Sequence, residues 1–189
     1  MSAALRLLLA FCAALTATLC AAQSDGTTGE YAQVRQLLDR GQPVQALARA
    51  DTWLERNAGD PQMRFLRATA LGDSGAQEQA AAALTALTRD YPELPEPHNN
   101  LAVIYAAQGR LQEARAALEE ALRNNPQYAI AWANLGDIHT RLARQAWSRV
   151  QEIDRAHASA PAKLALLREA LFAPQKAPQE AAPAGASGK

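Results

Sequence analysis

An all-α stack of helix hairpins is the fold class this sequence predicts, and three observations predict it. Gly41, Gly75 and Gly109 stand 34 residues apart. Each is followed five residues later by an alanine, namely Ala46, Ala80 and Ala114. The same register relates Ala50 to Leu84 and Leu118, Trp53 to Leu87 and Ala121, Pro61 to Pro95, and Pro92 to Pro126. A fixed period of this length marks one helix-turn-helix unit repeated along the chain, each unit burying its apolar face against the next. Function is then to be sought on the surfaces of a stack.

Taken in order, residues 1–22 read as an export signal. Arg6 precedes an apolar stretch from Leu7 to Leu19 and small residues around Ala21-Ala22. That stretch of about 13 residues is too short for a permanent membrane helix and fits a removable one, cut after Ala22. Two alternatives stay open: an uncleaved membrane anchor, and a lipoprotein acylated at Cys20, although Leu19 is bulky where a lipobox wants a small residue. After a short linker, 23–29, the first unit spans about 30–60, with helices over Tyr31–Arg40 and Pro43–Arg56 around the Gly41 turn. The second, 61–94, keeps its second-helix pattern but has Arg67 where the third has Leu101, so Phe65 and Leu66 are expected to supply the apolar contact.

The third unit, 95–128, is the clearest. Leu101, Ala102 and Tyr105 share one helical face, and Ala114, Leu118 and Ala121 share another. Gly109 ends the first helix, alanines let the two helices approach closely, and Pro126 stops the second. The fourth, about 129–161, begins with Trp132, Leu135, Gly136 and His139 in the places of His98, Leu101, Ala102 and Tyr105. Its second half slips by one residue and has no glycine near Ala143. It is expected either to carry an insertion at its turn or to have a longer first helix bending around Arg141–Gln145. In both cases a second helix would bury Trp147, Val150, Ile153 and Ala156. A last helix, within 162–172, presents Leu164, Leu167 and Leu171 to cap the stack, making nine helices. The remainder, 173–189, has three prolines and two glycines among small and polar residues and reads as a mobile tail.

Without residues 1–22 the chain holds 18 basic and 19 acidic side chains. That balance argues against a nucleic-acid footprint. Both cysteines, Cys12 and Cys20, leave with the signal, so an exported chain needs no disulfide. The expected location is the periplasm of a Gram-negative bacterium, with no membrane span once the signal is cut.

The run Trp132-Ala-Asn-Leu135-Gly136-Asp-Ile-His139, with Leu101-Ala102, Tyr105, Gly109, Ala114, Leu118, Ala121 and Pro126, resembles the tetratricopeptide repeat. The likeness covers most of 31–161 and departs at Arg67, at His139 and in the slip before Ile153. The stretch Glu93–Gly109 also looks like exported proteobacterial proteins of that family. The resemblance implies a right-handed α–α superhelix, about four helix pairs plus a capping helix, whose first helices line a concave wall. Carried onto this sequence, the groove residues are Asn99, Asn100, Val103 and Ala107 in the third unit and Asn134, Asp137 and Arg141 in the fourth. Asn100 and Asn134 are equivalent, and an asparagine amide offers a peptide backbone both a donor and an acceptor. Relatives that clamp a terminal carboxylate use lysines and arginines here. This chain has Asn99, Val103, Ala133 and Asp137 instead, with only Arg141 and Arg64 or Arg67 as cations, so amide and small apolar contacts are the better expectation. Repeat positions expected to be structural are Gly41, Ala46, Trp53, Gly75, Ala80, Leu84, Leu101, Tyr105, Gly109, Ala114, Leu118, Ala121, Pro126, Trp132, Leu135 and Gly136.

No catalytic residues, metal ligands or cofactors are expected. His98, His139 and His157 lack partners at ligand spacing, HExxH is absent, and Gly72-Asp73-Ser74-Gly75 reads as a turn. The tryptophans read as core. The sequence therefore predicts an exported, non-catalytic scaffold that holds a protein or peptide segment, with no nucleic acid. Two alternatives remain: a self-associating structural module, docking through an end helix or the Ala80–Ala83 face, and an accessory subunit of a cell-wall or protein-folding enzyme.

Overall fold

The computed structural model describes residues 29–172, and all of its regular structure is helical. The expected signal, most of the expected linker, both cysteines and the expected tail lie outside the described residues. Eight helices follow one another: α1 (29–39), α2 (Pro43–Leu54), α3 (Pro61–Asp73), α4 (Gln77–Asp90), α5 (Pro95–Ala107), α6 (Leu111–Asn124), α7 (Ala129–Ile153) and α8 (Ala160–Phe172). They fall into two units that divide within α7, after Trp132.

In the first unit the helices form three hairpins, and the turns show why. Gly41, Gly75 and Gly109 have φ of 67°, 88° and 74°, the only positive values among the described residues. At each, the same pair of bonds closes the helix. Gly41 N–H donates to Leu38 O and Gln42 N–H to Leu37 O at 2.8 and 2.9 Å; the Gly75–Ala76 and Gly109–Arg110 turns repeat this. This is the left-handed C-cap that a side chain resists, placed every 34 residues. Pro43, Pro61 and Pro95 open the helices that follow, where their fixed φ fits and no N–H is missed.

Packing follows the repeat. Val34 of α1, Ala46 and Ala50 of α2, and Met63, Leu66 and Ala70 of α3 form one buried cluster. Ala68 and Leu71 of α3, Ala80 and Leu84 of α4, and Leu101 and Ile104 of α5 form the next. So α3 serves both clusters from different faces, and each of the first two hairpins is completed by the first helix of its successor. Ala46, Ala80 and Ala114 are fully buried, which brings the helix backbones of each pair close together. Leu118 and Ala121 are buried as well, while Tyr105 and Trp53 are half-buried at the cluster edges. In the second hairpin the apolar contact beside Arg67 is divided between the two faces of α3, with Leu66 buried in the first cluster and Phe65 packed against the second.

The second unit takes the longer-helix alternative and lacks the separate second helix that was expected after it. Helix α7 runs unbroken for 25 residues through Ala143, the position 34 residues after Gly109. No residue there accepts positive φ cheaply, so the helix has no reason to stop. Three expectations fall with that turn. Gly136, the counterpart of buried Ala102, is exposed, and a Cβ built on it meets nothing within 4 Å. His139 is exposed instead of packed. Ile153 is 73% exposed and Ala156 is exposed, with Trp147 and Val150 only half-buried. A continuous helix cannot fold its second half back over its first, so the small residue that would have admitted a partner has none from that half. Leu135 is buried. Helix α8 forms where a last helix was expected, with Leu164, Leu167 and Leu171 half-buried, and the described residues hold eight helices instead of nine.

Candidate functional site

Helix α5 buries Pro97, Asn99, Leu101, Ala102 and Ile104. What remains is a stripe of Glu96, Asn100, Val103 and Ala107 at helical spacing, with Val103 51% exposed. Asn99 is 4% exposed, the one buried polar side chain among the described residues. It is therefore not open to a ligand directly. Its Nδ2 donates to Asn100 Oδ1 at 3.3 Å. Of the two asparagines expected on the groove of this unit, Asn99 is thus buried and Asn100 stays half-buried on the open face.

The equivalent stripe on α3 is Gln62, Leu66, Thr69 and Asp73, where Leu66 is buried and Thr69 Oγ1 donates to its own helix at Phe65 O. On α1, Tyr31, Arg35 and Asp39 face an open cleft of about 680 Å³, with Gln62 of α3 at its side. Arg64 and Arg67 do not supply free cations. Arg67 Nε meets Asp51 of α2 at 2.5 Å, and Arg64 meets Asp90 of α4 at 2.8 Å. The Arg64 and Arg89 guanidiniums hold the Asp90 carboxyl below its usual range. Both Arg64 and Arg67 are ties between neighbouring helices.

In the second unit, α7 carries Asn134 half-buried and Asp137 and Arg141 exposed, spaced as one stripe along the helix. Trp132, on the last turn of the first unit, is 55% exposed and not core. Its Nε1–H donates to Pro126 O at 2.9 Å, and His98, 34 residues earlier, makes the same reach to Pro92 O at 3.1 Å. The position favours a ring whose N–H can reach back to the loop carbonyl. Asn124 Nδ2 also donates to Pro92 O, at 2.6 Å.

One polar centre was not anticipated. Asp60 accepts from Tyr31 Oη at 2.6 Å, Trp53 Nε1 at 2.7 Å and Met63 N–H at 3.1 Å, joining α1, α2 and the start of α3. Burial, then the Asp60 hydrogen bond and charge, push the Tyr31 hydroxyl up to about 12. An aspartate directly before Pro61 is a recognisable N-cap in sequence, but the tyrosine and tryptophan converging on it are a tertiary fact. Among the described residues no group of three or more His, Cys, Asp or Glu side chains is placed to hold a metal, and no helix is long and apolar enough to cross a membrane.

Two family models, each described as a tetratricopeptide repeat, match residues 31–95 and 95–128. Over 69 residues the chain is 39% identical to the TPR repeat-containing protein YvcD of Bacillus subtilis, covering 36% of this chain and 14% of that protein's length. Among solved structures it resembles YrrB, described as a tetratricopeptide repeat protein with an unusual peptide-binding site, at 25% identity and a TM-score of 0.51, over 55% of this chain and 54% of that one. It also resembles TTC0263, a tetratricopeptide repeat protein of Thermus thermophilus, at 20% identity and a TM-score of 0.58, over 77% of this chain and 82% of that one. The last shares the fold.

Proposed function

Because the chain belongs to the tetratricopeptide repeat family, we propose that it is a non-catalytic scaffold that holds an extended segment of another protein against the first helices of its hairpins. The observation that carries this reading is the open α5 stripe. Val103 offers an apolar contact beside an Asn100 amide hydrogen-bonded to buried Asn99, and together they suit a peptide backbone with small apolar side chains. The peptide-binding description of YrrB favours the same use of the fold. With Arg64 and Arg67 tied to aspartates, a clamp for a terminal carboxylate is disfavoured on this wall. Arg6 followed by the apolar stretch Leu7–Leu19 and small residues at its end favours export, and with it work in the periplasm.

A photo-crosslinking residue at Val103, with a control at exposed Glu119 on α6, tests the reading. Cross-links to a discrete partner peptide should form from position 103 and fail from 119. Equal labelling from both positions refutes a ligand on the α5 stripe. Separately, release of the protein by osmotic shock checks the compartment, and retention with the cytoplasmic fraction refutes that part.

A further inference from the structure

The second unit has a cleft of its own, of about 390 Å³, between α7 and α8. Arg144, Ser148 and Gln151 reach it from α7 at helical spacing, and Leu164 and Arg168 reach it from α8. We infer that this cleft is a second binding site, which takes an acidic peptide segment. Its carboxylates would meet Arg144 and Arg168, its backbone Ser148 and Gln151, and an aliphatic side chain the half-buried Leu164.

Three observations carry this. First, both arginines are exposed, and no carboxylate among the described residues lies within ion-pairing distance of either. Both arginines of α3 are, by contrast, tied to aspartates. Second, no acidic side chain among the described residues lines the cleft. Residues 133–172 hold six basic side chains against four acidic, while 29–132 hold ten against thirteen, so this unit is net positive where the first is net negative. Guanidinium groups suit carboxylates through paired donors. Third, the turn that brings α8 back is fixed. Trp147 meets His157 edge to face at 5.9 Å, and Asp154 Oδ1 accepts from Ala156 N–H at 3.1 Å. The cleft exists only because α7 runs on past Ala143, and it is independent of the α5 stripe.

The test is fluorescence anisotropy with the full chain and a terminally blocked, fluorescein-labelled Leu-Glu-Glu-Leu-Glu peptide, beside counterparts carrying glutamine or phosphoserine in place of glutamate. Saturable binding of the glutamate peptide, absent for the glutamine one and about fivefold weaker in R144Q/R168Q, is the expected result. A V103E variant should bind the peptide unchanged, which separates this site from the groove. Without any variant, the side-chain Nε–H signals of Arg144 and Arg168 should move in NMR spectra on adding peptide. Equal binding of the glutamine peptide, unchanged affinity in the double variant, static arginine signals, or capture of the phosphoserine peptide alone would each overturn the proposal.

Discussion

The same substitution, glycine to alanine, should move stability in opposite directions at two positions of this chain. Gly109 has φ of 74°, and a Cβ built there meets nothing within 4 Å. The cost of Gly109→Ala is therefore conformational, not steric. Forcing an L residue into the left-handed region costs about 1–2 kcal/mol, offset by about 0.4–1 kcal/mol through the stiffer unfolded chain, leaving a loss of about 1 kcal/mol. Gly136 lies inside α7, is exposed, and also has open space at its Cβ. Gly136→Ala should therefore gain about 1 kcal/mol from helix propensity alone. With a urea slope of about 2 kcal/mol/M, the two midpoints should separate by about 1 M, on either side of the unmodified protein. Urea titration followed by far-UV circular dichroism reads both, with near-UV signals as a check on cooperativity. Shifts of the same sign at both positions would refute the account, because they would mean either that α7 is broken at Gly136 or that Gly109 caps nothing.

Further expectations follow from the core and from Asp60. Leu118→Ala, at 1% exposure, should cost about 2–5 kcal/mol by calorimetry, and a loss below about 1 kcal/mol would contradict its burial. Asp60→Ala strands the Tyr31 and Trp53 donors and removes an N-cap, so it should cost about 1–3 kcal/mol, with a tryptophan emission shift reporting the change at Trp53. Tyr31 keeps its proton more tightly folded than unfolded. Its contribution is fully present below the ordinary value of 10.0 and is lost as pH rises through about 12. Urea midpoints measured across that window should fall more steeply for the unmodified protein than for Tyr31→Phe, and identical slopes would remove Tyr31 from the alkaline response.

The legible parts of the fold were those set by local chemistry. The positive-φ glycines, the helix-opening prolines and the buried alanines at 46, 80 and 114 are each a requirement of one turn or one helix crossing, so their spacing carries over directly into three hairpins. The absence of glycine at Ala143 was equally visible. Its outcome was not, because an insertion at the turn and an uninterrupted helix use the same residues, and only the packing available beyond that position separates them. Trp132 misled for a related reason. A large aromatic at a repeat position reads as core, whereas here its ring stays 55% exposed and its Nε1–H is satisfied by a loop carbonyl six residues back. Of the residues that the family resemblance assigned to a groove, Val103 and Asn100 share one helical face by their spacing. That Asn99 is buried depends on which side of α5 its neighbours cover.

What the sequence determined by itself was the repeat: its period, its family, its turns and the small residues that let helices approach. These depend on backbone conformation and side-chain volume at single positions, properties a residue carries wherever it stands. Only the tertiary structure decided where the repeat ends, that Asp60 gathers donors from two preceding helices, that Arg64 and Arg67 are tied down, and that Arg144 and Arg168 share a cleft. Each of those is a meeting of groups far apart in the chain, and such meetings are set by how helices pack, which no local preference encodes.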